Sequence, residues 1–169
     1  MALFGSSRDI SMFHKINSEL LDNVIQQEVD FYQINLEHTE ANLYGEAAQN
    51  KVYNAPIRVT CLIERGDQTF NIDDQLGSDA AQTYTFRFLH KKLVDINLWP
   101  EVGDLIENRG NFYEIDNINE NQFVLGKDKD FSKNVGPEYG ESWSIICVGH
   151  YTRVSKLQIV NSRGGQQNV

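Results

Sequence analysis

Apolar residues fall at every second position in several short runs of this chain, and turn-forming residues separate the runs. That pattern restricts the fold more than any other feature. In residues 56–64, Ile57, Val59, Cys61 and Ile63 share one face, while Arg58, Thr60 and Glu64 lie mostly on the other. Residues 82–89 alternate around Tyr84, Phe86 and Phe88. A period of two marks a half-buried strand. Leu105 and Ile106 lead into Asn108-Arg109-Gly110-Asn111 and return through Phe112, Tyr113 and Ile115, a hairpin pattern. Further strands are expected at 122–126, 143–148 and 151–160, the last two broken near Gly149-His150. Short strands at this spacing predict a mainly β fold, a small antiparallel β-barrel or sandwich.

One segment departs from this period. Across residues 9–29, Ile10, Phe13, Ile16, Leu20 and Val24 recur every three or four positions, with Leu21 and Ile25 widening the stripe. This is an amphipathic helix, and its apolar face needs cover. Packing on its own domain is the favoured expectation and docking on a neighbouring subunit the alternative. Residues 31–36 fit a strand or extended arm. Three polar stretches, 37–54, 66–81 and 127–140, read as long loops, the second about sixteen residues long and acidic. Long loops without structure of their own are usually functional. The expected organisation is an N-terminal helix at 1–30, a β-barrel-like domain with long loops at 31–160, and a flexible C-terminal tail at 161–169.

Charge narrows the function. Lys and Arg total 15 against 24 Asp and Glu, a formal net of −9, and no basic run exceeds Lys91-Lys92. Tight binding to DNA phosphates or to an anionic membrane is disfavoured, since such affinity comes from basic patches that release counterions. Acidity also suits a surface past which DNA slides, although solubility alone accounts for it. Cys61 and Cys147 lie in apolar strand-like runs and are expected as reduced core residues, in keeping with assembly in a cytoplasm. A disulfide between them requires that their strands pair closely. Residues 1–7 carry no charged segment followed by an apolar core, so no signal peptide is expected. No apolar stretch approaches the roughly 20 residues of a membrane span.

Signatures of chemistry are sparse. His14, His38, His90 and His150 are scattered, and Glu37-His38-Thr39-Glu40 lacks the clustered spacing of a zinc site. Neither a Gly-x-Ser-x-Gly elbow nor a Gly-rich phosphate loop occurs. The carboxylate pairs Asp73-Asp74 and Glu114/Asp116 are common in acidic chains and fit hydrated loops or strand edges. In Tyr84-Thr85-Phe86-Arg87-Phe88 an arginine interleaves with aromatics, as in a single-strand-binding barrel, but a half-buried strand has the same pattern. No catalytic, cofactor-binding or metal-ligating residue is expected, and the chain is not expected to be an enzyme.

Three segments, 100–106, 112–116 and 121–127, resemble in their order part of the neck proteins of large contractile-tailed bacteriophages. Ala2-Leu3-Phe4-Gly5-Ser6 with Arg8-Asp9-Ile10, Asn42-Leu43-Tyr44-Gly45-Glu46-Ala47, and Asp67-Gln68-Thr69 followed by Gly77-Ser78-Asp79 resemble the shorter versions carried by marine phages, including cyanophages. The resemblance spans roughly residues 1–160. It implies a virion protein without catalytic residues, forming a homo-oligomeric ring that closes the DNA-filled head and docks the tail. A hexamer is expected, a dodecamer being the alternative. The implied neighbours are a portal or adaptor ring above and a tail terminator below. Genomic DNA would lie in the lumen, no membrane is involved, and assembly would take place in the host cytoplasm. A portal adaptor, a tail terminator, a baseplate subunit and a nucleic-acid-binding barrel are the alternative readings. In the ring reading, residues 67–79 and 127–140 are contact loops, and the N-terminal helix or C-terminal tail reaches a neighbour.

Overall fold

The computed structural model describes residues 7–36, 51–73, 77–120, 123, 142–152 and 158–159. Helix α1 (Ser7–Glu19) runs into a wider π-helical turn at Leu20–Ile25. Gln26 ends it with a left-handed backbone (φ 53°), its N–H donating to the Leu21 carbonyl at 2.9 Å. The helix therefore stops short of residue 29. Val29 and Phe31 instead point into the core from strand β1 (Glu28–Tyr32). The remaining elements are β2 (Val52–Tyr53), β3 (Ile57–Thr60), β4 (Leu62–Asp73), β5 (Gly77–Leu89), α2 (His90–Asp95), β6 (Leu105–Asn108), β7 (Asn111–Asn119), β8 (Ser144–Thr152) and β9 (Gln158–Ile159).

Seven strands form one antiparallel sheet in the order β3-β1-β6-β7-β8-β5-β4. The strands at its two edges, β3 and β4, are consecutive in the chain and separated only by Cys61. One residue cannot cross a flat seven-stranded sheet, since neighbouring strands lie about 4.8 Å apart. The sheet therefore curls until its edges meet at Cys61, which gives the barrel expected from the alternation. The Cys61 N–H donates to the Gln27 carbonyl at 2.9 Å where the edges join. The short strands β2 and β9 pair in parallel outside this sheet.

Inside the barrel, Phe31, Phe86, Phe88, Ile106, Ile115 and Ile145 are buried with Leu93 and Leu98 from the α2 region. Burying each large side chain contributes about 2–3 kcal/mol. Odd and even residues divide as a strand period requires. Phe31, Ile106 and Tyr113 face this core, while Tyr32, Leu105 and Phe112 face a second cluster with Tyr53 of β2. The β6–β7 hairpin turns on Arg109 (φ 53°) and Gly110 (φ 81°). Two successive positive φ angles define the tight turn whose twist matches its strands.

Several expectations are corrected. Residues 66–81 are not a loop: β4 continues to Asp73 and β5 starts at Gly77, paired as far as Asp73 opposite Gly77. The segment has no apolar period in its sequence, and backbone pairing needs none. The stretch 37–54 ends in strand β2, held by the pairing of Val52 and Tyr53 with β9; its residues 37–50 lie outside the described residues. Nor does the chain break at Gly149-His150, because β8 runs through both residues. Gly149 sits where a Cβ would stand 2.7 Å from the Glu114 carbonyl oxygen, beside a register shift between Ile115 and Asn117. The glycine permits close approach of two strands; it does not end one. The expected loop at 127–140 and the tail at 161–169 lie outside the described residues. Of the strand expected at 122–126, only Phe123 is described, bridged to Ser142.

Candidate interaction surface

Helix α1 turns a mixed row of residues to the barrel. Ile10 and Leu21 are buried, and between them the His14 ring lies 4.5 Å from that of Trp143, tilted by 43°. A polar anchor completes the seam. Asp22, on the π-helical turn, accepts hydrogen bonds from Thr60 Oγ1 (2.7 Å), Ser18 Oγ (3.2 Å) and the Lys92 ammonium. Lys92 also donates to Thr60 Oγ1 at 2.7 Å. One carboxylate thus joins the N-terminal helix, β3 and α2. Burial alone would raise the Asp22 pKa, but the hydrogen bonds from Lys92 and Thr60 and the Lys92 charge together hold it below the ordinary carboxylate value.

The apolar stripe expected to pack on the barrel does not do so. Phe13 (50% exposed), Ile16, Leu20 and Val24 (72% exposed) all face outward, flanked by Met12 and Ile25. At about 100° per residue, this stripe is rotated roughly a quarter turn from the row holding Ile10 and Leu21. The correction has a physical basis: the inward row gains its hold from the Trp143 contact and the Asp22 anchor, so the larger apolar face is left over. Contiguous exposed apolar faces mark interaction surfaces.

A groove of about 660 Å³ opens between α1 and α2. Lys15, Lys91 and Lys92 line it with His14, against Glu19 and Asp95, and Leu89 also borders it. In a chain of net charge −9 this is a local concentration of ammonium groups.

At the far end of the barrel stands an arm. Strand β5 pairs with β8 only from Thr83 to Leu89. From Gln82 back to Gly77 its partner among the described residues is β4 alone, with a register shift between Arg65 and Gln68 at the base. The outer parts of β4 and β5 therefore leave the sheet as a two-stranded ribbon.

Other chemistry-bearing groups serve the fold. Asp104, only 1% exposed, accepts hydrogen bonds from the N–H groups of Ile34 and Glu101, both at 2.8 Å. Burial pushes its pKa up to about 6 against the pull of those hydrogen bonds. Its sequence signal is slight, an aspartate after a glycine of positive φ (Gly103, 97°) ahead of a strand. Both cysteines are free and buried, and burial pushes each thiol up to about 12, far from a reactive thiolate. Glu114 pairs with Lys51, and Asp116 holds His150 Nδ1 at 2.8 Å. Phe86 and Phe88 point into the core and Arg87 pairs with Glu64 at 2.9 Å, so this strand presents no row of stacking aromatics. Among the described residues, no His, Cys, Asp and Glu cluster is arranged to hold a metal, and no helix is long and apolar enough to cross a membrane. The Glu37-His38-Thr39-Glu40 segment lies outside the described residues.

The fold and surface define a small mainly β protein whose distinctive features project outward: a ribbon arm, an apolar helix face and a lysine-lined groove. No family model and no curated protein matches the chain. Among solved structures, it is similar to a chain of the virion of a native gene transfer agent particle, with a TM-score of 0.43 and 11% identity over 75% of this chain and 94% of that one. A likeness that loose carries no inference about function.

Proposed function

We propose that this chain is a structural subunit of a tailed-phage-type virion, forming a ring at the neck that closes the filled head and docks the tail. The assembly part of this reading is carried by one observation: the barrel leaves an apolar helix face and a ribbon arm unused by its own fold. A monomer gains nothing from either, whereas a subunit needs both a surface and a reach. The neck position is supported by the order of neck-like segments along the sequence. The acidic balance agrees with a channel past which DNA moves without adhering. A nucleic-acid-binding barrel is the weaker reading, because the aromatics of β5 are spent in the core.

Removal of the chain during particle assembly tests the proposal. Filled heads that leak DNA, together with unattached complete tails, are expected. Normal tailed particles would overturn the reading.

A further inference from the structure

The arm and the groove lie at opposite ends of one strand. Leu89, the last residue of β5, borders the groove, and α2, which forms one wall, begins at the next residue. Gly77, the first residue of β5, pairs with Asp73 at the outer end of the arm. Thirteen residues of strand separate these ends by about 40 Å. The pairing of Thr83 to Leu89 with β8 holds the inner half in the barrel wall. The arm therefore points away from the groove of its own chain.

Their charges are complementary. Residues 67–81 contain Asp67, Asp73, Asp74 and Asp79 and no Lys or Arg. The groove offers Lys15, Lys91 and Lys92. We infer that the arm of one copy docks in the α1–α2 groove of the next copy, with its aspartates against these lysines. Donor and acceptor are different surfaces, so the contact is head-to-tail, the type that closes into a ring or continues as a filament. The inference deepens the ring reading proposed above and rests on it by naming the contact between neighbours.

Cross-linking of the full-length chain tests this. Asp73→Cys and Lys91→Cys are made singly and together, and treated with a short bis-maleimide; the native thiols are buried. A mixture of the single variants should give, as its main product, a dimer linked from position 73 of one copy to position 91 of the other. The double variant should give a ladder of multimers. Arg109→Cys, in the turn at the arm end of the barrel, should not couple to Asp73→Cys. A main product joining two copies of position 73, or equal coupling to position 109, overturns the inference. A second variant set guards against local damage: Lys91→Glu and Asp73→Lys should each weaken self-association at least fivefold, and together restore it. Absence of that restoration also overturns the inference. Native mass spectrometry separates the two levels. Closed oligomers without the 73–91 product overturn only this contact, whereas a monomer at every concentration overturns the contact and the self-assembling ring together.

Discussion

The Lys92 ammonium donates to the Asp22 carboxylate, joining the turn that ends the N-terminal helix to α2, with Thr60 Oγ1 bridging the two. Replacing Asp22 by Asn removes the charge that Lys92 faces. At a site about a third exposed, solvent screening keeps the expected loss to about 1 kcal/mol. Because the folded-state pKa of Asp22 lies below its ordinary value of 3.8, this stabilisation is present above that pH and disappears as pH falls through the folded value. Urea denaturation of both proteins at several pH values should show curves that converge in acid, and hydrogen exchange should rise in α1. A constant difference at all pH values would assign the effect to packing instead.

Asp104 titrates with the opposite sign. Its folded pKa of about 6 lies above the ordinary 3.8, so its stabilising contribution is complete below about pH 4 and lost as pH rises through about 6. Asp104→Asn abolishes that dependence and turns an amide N–H₂ toward one of the two donors, Ile34 or Glu101, leaving it unsatisfied. The expected cost is roughly 1–3 kcal/mol. The difference in unfolding free energy between wild type and variant should shrink from pH 4 to pH 6. A difference that grows over that interval would contradict the assignment.

Gly149→Ala tests the close approach of β7 and β8. Its Cβ would meet the Glu114 carbonyl, a backbone atom with no easy retreat. Overpacking of this kind costs roughly 1–3 kcal/mol, read as a lowered denaturation midpoint with unchanged slope. A neutral effect would mean that the two strands are farther apart than described.

The exposed helix face should respond in the reverse way. Ile16→Glu with Val24→Glu should leave the stability of the isolated chain within about 0.5 kcal/mol per site, since neither residue is part of the core. The same change should abolish incorporation into particles. A fall of several kcal/mol in the stability of the isolated chain would show that the stripe is buried after all.

The strands at 57–60, 82–89, 105–108 and 111–115 were legible because each alternates around a buried row and turn residues bound it. The outer arm was not, because a ribbon paired on backbone alone has no apolar period to detect. The helix itself was legible, but not which of its faces turns inward. The inward row contains His14 and Ser18, and it is selected by Trp143, Thr60 and Lys92, residues remote in sequence. Gly149 looked like a breaker because the same absence of a Cβ serves a turn or a tight strand crossing. Nothing local distinguished Asp104 from the other acids of an acidic chain; its partners arrive only when β6 lies beside β1.

The most direct measurement is cryo-electron microscopy of purified virions, with this chain built into the density at the head–tail junction. The account predicts a symmetric ring of copies between portal and tail. Density for the chain in the baseplate or tail tube, or its absence from the particle, would contradict the neck assignment.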